Sequence, residues 1–186
     1  MATIERRAFM KGATLGALAF TVGSSTVMLT ARQARARNVP FRLLKEAEAD
    51  IIESIGDKLV QGARAAGVAH FIDQQVSVPP EEALLQARIL NVRPPFVSFY
   101  RAAVTAIDDG SKRLFGYKFT EAPPDQQIEL VHNMRQNKVA GWQGPPAPFV
   151  YTILRSDAVD VVYGTMEGYE MLGIPYQAHI APERRW

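Results

Sequence analysis

Apolar residues recur along much of this chain at spacings of three and four, the signature of helices that bury one face. From Leu43 to Ala66, the positions Leu44, Ala47, Ile51, Ile55, Leu59 and Ala63 form one such stripe and predict a long first helix. Gly67 suits the residue after a helix end, where a left-handed backbone favours glycine, and VAHFIDQQV beyond it predicts a short second helix. Pro79 and Pro80, followed by Glu81 and Glu82, have the make-up of a helix start with carboxylates in the first turn, so a third helix is expected through Leu90. Pro94 and Pro95 open a fourth, FVSFYRAAVTAIDDGSKRLFG, with Phe96, Phe99, Ala103 and Ile107 on one face and Asp108, Asp109 and Gly110 as a candidate bend.

The segment TEAPPDQQIELVHNMRQN predicts another helix, with Ile128, Val131 and Met134 as its apolar face. Asn137 to Pro148, which holds Gly141, Gly144 and three prolines, is expected to be a loop. APFVYTILRSDAVDVVYG is rich in Val and Tyr and suits strand or helix. The stripe Phe149, Ile153, Leu154, Ala158 and Val161, with no hairpin partner nearby, favours helix. The closing stretch YGTMEGYEMLGIPYQAHIAPERRW is dense in Gly, Pro and aromatics and has no long periodic run. The expectation is an all-α protein: a single small helical domain over residues 37–186, ending in an irregular, aromatic- and Pro-rich tail laid over its own surface or another chain's.

The first 36 residues follow a different pattern. Arg6 and Arg7, with Phe9 and Lys11, precede an uncharged run from Gly12 to Ala31 that is diluted by Gly, Ser and Thr. This is the layout of a twin-arginine export signal, an address for proteins carried across the inner membrane already folded. Ala34 and Ala36 flank Arg35 as small residues at the two positions a signal peptidase reads, so cleavage after Ala36 is expected, with residues 1–36 as the signal. The alternative is an uncleaved membrane anchor, since twenty uncharged residues at about 1.5 Å each can span a bilayer core of roughly 30 Å. Against it, the Gly, Ser and Thr content makes insertion poor compared with a Leu-rich helix.

The leader also changes the meaning of the charge. The chain has 21 Lys+Arg and 19 Asp+Glu, but five of the basic residues and only Glu5 of the acidic ones precede residue 37, so the remainder carries a net charge of about −2. The basic balance belongs to the address and gives no argument for a nucleic-acid partner. Cysteine is absent, which excludes iron–sulfur ligation, CxxCH haem attachment and a thiolate nucleophile in this chain.

Other chemistry is sparse. His70, His132 and His179 are far apart and fall in no metal-ligand pattern. The neighbours Glu81-Glu82 and Asp108-Asp109 would project about 100° apart on a helix and so do not converge on one substrate atom. No GxGxxG after a strand, GxxxxGK[ST] or GxSxG occurs. No catalytic, metal or cofactor-binding residue is therefore assigned. Trp142, Tyr163, Tyr169, Tyr176 and Trp186 suit core or loop-pinning roles. Together with Met166, Met171, Arg184 and Arg185 they also have the composition of a protein interface. Trp142, Tyr163, Tyr169, Tyr176, Arg184 and Trp186 are accordingly the candidate partner interface. A separate possibility is an independent periplasmic ligand-binding or enzymatic helical domain using Glu129, His132 and Arg135 in a cleft.

Several of these segments occur in a telling order: the twin-arginine leader, IIESIGDKLV running into GVAHFIDQQV, YRAAVTAIDDGSKRLFGYKF followed by DQQIELV, and VVYGTMEGYEMLGIPYQAHIAPERRW. In this arrangement the chain resembles the gluconate 2-dehydrogenase subunit 3 family, the small subunits of membrane-bound, flavin-dependent sugar, sugar-acid and polyol dehydrogenases. The resemblance implies a non-catalytic subunit with no cofactor of its own. Its partners would be a large FAD-containing dehydrogenase subunit, a multihaem cytochrome subunit that passes electrons to quinone, and the twin-arginine translocase. The small subunit would supply the export signal and stabilise the flavoprotein, and the complex would sit in the periplasm on the inner membrane. Many members carry Gly-Gly-Asn after the Tyr-Gly where this chain has Gly164-Thr165-Met166-Glu167-Gly168, so the sugar or polyol oxidised is not carried over.

Overall fold

The computed structural model describes residues 17–22 and 25–174. Strands β1 (Leu18–Val22) and β2 (Ser25–Leu29) are followed by nine helices among the described residues. These are α1 (Ala31–Ala36), α2 (Glu46–Leu59), α3 (Ala63–Ala66), α4 (Val68–Val76), α5 (Gln86–Ile89), α6 (Phe96–Phe115), α7 (Pro124–Arg135), α8 (Ala147–Tyr163) and α9 (Met166–Met171). The protein is thus mostly helical, as the periodicity implies. No helix among the described residues is long and apolar enough to cross a membrane.

Helix α8 is the centre of the packing and touches α2, α3, α4, α5, α7 and α9. Val150, Ile153, Leu154, Ala158, Val161 and Val162 are all buried along it, together with Asp157, as befits a helix with neighbours on several sides. The Val- and Tyr-rich segment is therefore helix and not strand. Around it, Ile52 and Ile55 of α2, Ile72 of α4, Tyr100 and Ile107 of α6, and Leu130 of α7 close one continuous core.

Several boundaries differ from the periodic pattern. The helix expected over 43–66 is broken: α2 ends at Leu59, and Gly62 at φ 87° turns the chain before α3. The buried face of α2 is Ala49, Ile52, Ile55 and Gly56, while Ala47 is exposed, so the stripe is rotated from the one first drawn. Gly67 does adopt the left-handed conformation, and α4 coincides with VAHFIDQQV. The helix expected from Pro79 to Leu90 shrinks to α5. Side chains from other elements hold the preceding chain in another path, with Gln75 accepting the Leu84 N–H at 2.6 Å and Asp157 accepting the Gln86 N–H at 2.9 Å.

Helix α6 runs through Asp108–Gly110 without a break. A Cβ at Gly110 would meet Val139, Leu130 and Trp142 at 3.4–3.7 Å, so this glycine serves ordinary close packing and not a bend. On α7, Ile128 is 56% exposed. Gln127 is buried in its stead and donates to the Phe119 carbonyl at 2.7 Å. The closing stretch is not irregular throughout, because Thr165 accepts the Gly168 N–H at 3.1 Å and caps α9.

The largest departure from an all-α fold lies in the uncharged run, where β1 and β2 pair antiparallel with Leu18 opposite Leu29 and Phe20 opposite Val27. Alternate residues Leu18 and Phe20, and Val27 and Leu29, share a face and form a small second core with Ala34 and Val39. Period-two patterning over so short a span is easily masked by the low charge of the whole run.

Candidate interaction site

The segment between the hairpin and α2 is fastened to the helical body from end to end. Thr30 and Gln33 form a reciprocal cap at the start of α1: the Gln33 N–H donates to Thr30 Oγ1 at 3.2 Å and the Thr30 N–H to Gln33 Oε1 at 3.0 Å. Ala31 lies so close to Gly67 that a Cβ there would stand 2.2 Å from the Ala31 carbonyl oxygen. Ala34 is fully buried. Arg35 donates through both arms of its guanidinium to Glu53, Nε to Oε1 at 2.9 Å and Nη2 to Oε2 at 3.2 Å. Arg64 approaches the same carboxylate at 3.5 Å, so buried Glu53 is held between two cations.

Beyond α1, His70 donates from Nε2 to the Val39 carbonyl at 3.0 Å. Burial lowers the pKa of His70, which keeps the ring neutral and able to act as a one-sided donor. Asp73, buried on α4, accepts three main-chain N–H groups, from Arg42 at 2.8 Å, Leu43 at 2.9 Å and Leu44 at 2.8 Å. The chain is thereby delivered to the start of α2, where the Lys45 N–H donates to Glu48 at 2.8 Å.

This docking creates a groove of about 270 Å³, lined by Leu18, Ala31 and Arg32 of the N-terminal segment and by Asp160, Val161 and Thr165 at the α8–α9 corner. Burial raises the pKa of Asp160. The corner is tight, since a Cβ on Gly168 would lie 2.3 Å from the Val162 carbonyl. Only glycine fits there, which gives a physical reason for the second glycine of YGTMEGY. Asp160 and Glu167 are the carboxylates of its lining, and among the described residues no group of three His, Cys, Asp or Glu could hold a metal ion.

The residues singled out in sequence scatter. Arg6, Arg7, Phe9 and Lys11 of the export signal, and Tyr176, Arg184 and Trp186 of the candidate interface, lie outside the described residues. Trp142 is half-buried and donates from Nε1 to the Pro145 carbonyl at 2.7 Å, pinning the loop ahead of α8. Tyr163 and Tyr169, both half-buried, lie at the other end of α8 and on α9. The 17 residues of α8 rise about 1.5 Å each, so Trp142 does not join the two tyrosines in one patch. Glu129, His132 and Arg135 are exposed on α7, where His132 pairs with Gln136 at 2.6 Å. Asp108 accepts the Phe119 N–H at 2.9 Å and the Lys112 ammonium at 2.6 Å, a structural role.

Sequence reasoning missed Glu53, Asp73 and Asp157. Each is a carboxylate on an otherwise buried helix face, and that misfit was the available signal.

The close approach at Gly67 yields a direct expectation. Gly67→Ala combines a left-handed backbone at φ 84° with a clash against Ala31 and should destabilise the fold by about 2–3 kcal/mol. Gly62 has φ 87° but nothing within 4 Å of its would-be Cβ, so Gly62→Ala should cost about 1 kcal/mol. Equal losses in urea unfolding would show that α1 does not sit on Gly67.

No curated protein and no solved structure matches this chain. The family model described as Gluconate 2-dehydrogenase subunit 3 does, over residues 40–177, which run from just after α1 through all of α2 to α9, and the chain belongs to that family.

Proposed function

We propose that this protein is the non-catalytic small subunit of a periplasm-facing, FAD-dependent dehydrogenase that oxidises gluconate or a related sugar or polyol. The observation that carries the reading is the family match over residues 40–177. In this reading the chain supplies a twin-arginine signal to a flavoprotein catalytic subunit and stabilises it, and a multihaem cytochrome subunit takes the electrons. FAD is bound by the partner. The α8–α9 corner, with Tyr163 and Tyr169 half-buried and Met171, Leu172 and Ile174 exposed at 66%, 52% and 51%, supports a contact surface there, because aromatic and Met-rich patches favour protein partners. The alternative of an independent ligand-binding or enzymatic domain has less support, since Glu129, His132 and Arg135 stand on an open helix face.

The test is purification of tagged protein from its native host. A yellow eluate containing a larger second chain and dye-linked activity on gluconate, sorbitol, glucose or fructose is expected. A colourless single band, or dye reduction by the isolated chain alone, would overturn the assignment. Replacing Arg6 and Arg7 together by lysine should leave both this chain and the flavoprotein in the cytoplasm. Undiminished periplasmic dehydrogenase activity would show that the partner travels by itself.

A further inference from the structure

The Ala36–Arg37 bond, where the sequence pattern places signal cleavage, lies inside the closing turn of α1. The Arg37 N–H donates to the Gln33 carbonyl at 3.1 Å, the Asn38 N–H to Arg35 at 3.0 Å and the Val39 N–H to Ala34 at 3.0 Å. Asn38 is left-handed at φ 50°. The last two bonds, together with the packing of Val39 on Ala34 in the small core, make up a Schellman closure. We propose that residues 30–39 are a permanent part of the folded protein and that the chain is not cut between Ala36 and Arg37.

A peptidase binds its substrate as an extended, accessible strand, and cleavage in folded proteins is confined to segments that can open locally. Opening this one requires breaking the Schellman bonds, withdrawing Ala34 from its buried site and separating Arg35 from Glu53. Glu53, 7% exposed in the docked state, would lose the two-armed bond from Arg35 and keep only the longer approach of Arg64. A cut at this bond would also remove Phe20, Leu29 and Ala34, leaving Val39 without the rest of its cluster. The inference rests on the export reading in one respect: a passenger that crosses the membrane folded presents this bond already docked. The family match begins at Pro40, so the docked segment lies ahead of the matched residues.

The test is the N-terminus of the chain recovered from the periplasm, by N-terminal sequencing and intact mass. A start at or before residue 30 is expected, and a start at Arg37 overturns the proposal. A chain absent from the periplasm would count against the export reading instead, and a second measurement then decides the docking. In limited trypsin digestion of the purified full chain, the bond after Arg35 should be cut about tenfold more slowly than the bond after exposed Lys138. Equal rates would overturn it.

Discussion

Asp73→Ala should come close to unfolding the protein. The Asp73 carboxylate is 4% exposed and is the acceptor for three successive main-chain N–H groups at residues 42–44. Each donor left without a partner in a buried setting costs about 1–3 kcal/mol. Water can reach the Arg42 and Leu43 groups in part, so a total near 3–5 kcal/mol is expected, against a whole stability of about 5–15 kcal/mol for a domain of this kind. Asp73→Asn separates the loss of acceptors from the loss of volume. Asn keeps one oxygen, which can stay with Leu43 and Leu44, so it should lose about 1–2 kcal/mol. Urea unfolding of the three proteins at unchanged slope measures both steps. An Asp73→Ala variant within about 0.5 kcal/mol of the parent would mean that the 42–44 turn is held by something else.

The second large effect belongs to Asp157. Its Oδ2 accepts the Tyr100 hydroxyl at 2.6 Å and its Oδ1 accepts the Gln86 N–H at 2.9 Å, at a site with no solvent exposure. Asp157→Ala leaves both donors unpaired and should cost about 2–4 kcal/mol. The charge has a pH consequence of its own. Burial raises the Asp157 pKa from 3.8 to about 7, opposed by the hydrogen bonds from Tyr100 and Gln86 and assisted by nearby Asp160. Between those values the folded form binds more protons than the unfolded one, so this group lowers stability as pH rises from about 4 through about 7.

His70 works in the opposite sense. Its pKa is lowered on folding, so its contribution is complete above about 6.5 and is lost as pH falls. Asp157→Asn removes the first effect and leaves the second. The stability of the parent minus that of Asp157→Asn should therefore fall steadily from pH 4 to pH 8, while Asp157→Asn alone should keep the acid-side loss that His70 causes. A flat difference would show that Asp157 is ionised in the folded state throughout.

The sequence made the helices legible wherever one apolar face met one solvent face. The Phe96 helix declared itself by spacing in this way, whereas the Ala147 segment, packed on several sides, suited strand as well and only its stripe favoured helix. Failures arose where a distant side chain overrides local preference. Pro79 to Leu85 has the composition of a helix start, but Gln75 claims the Leu84 N–H and Asp157 the N–H of Gln86 just beyond it. The 18–29 hairpin shows the same limit, since its inward face is chosen by contact with Ala34 and Val39, which local patterning does not encode. For the site, the family order was readable, because it consists of linear motifs. The groove at the α8–α9 corner was not, because its wall is assembled from residues 18–32, from Ala66, Phe71 and Leu84, and from residues 160–167.

Asp157 also orders events in time. Its two partners lie 57 and 71 positions earlier in the chain, so the knot that joins α5, α6 and α8 cannot close until residue 157 has left the ribosome. Contacts of such separation slow folding, because the intervening chain must be gathered first. The central helix is made after α2 to α7, which until then surround a vacancy. The fold is therefore completed only after residue 157 has been made, however early the other helices form.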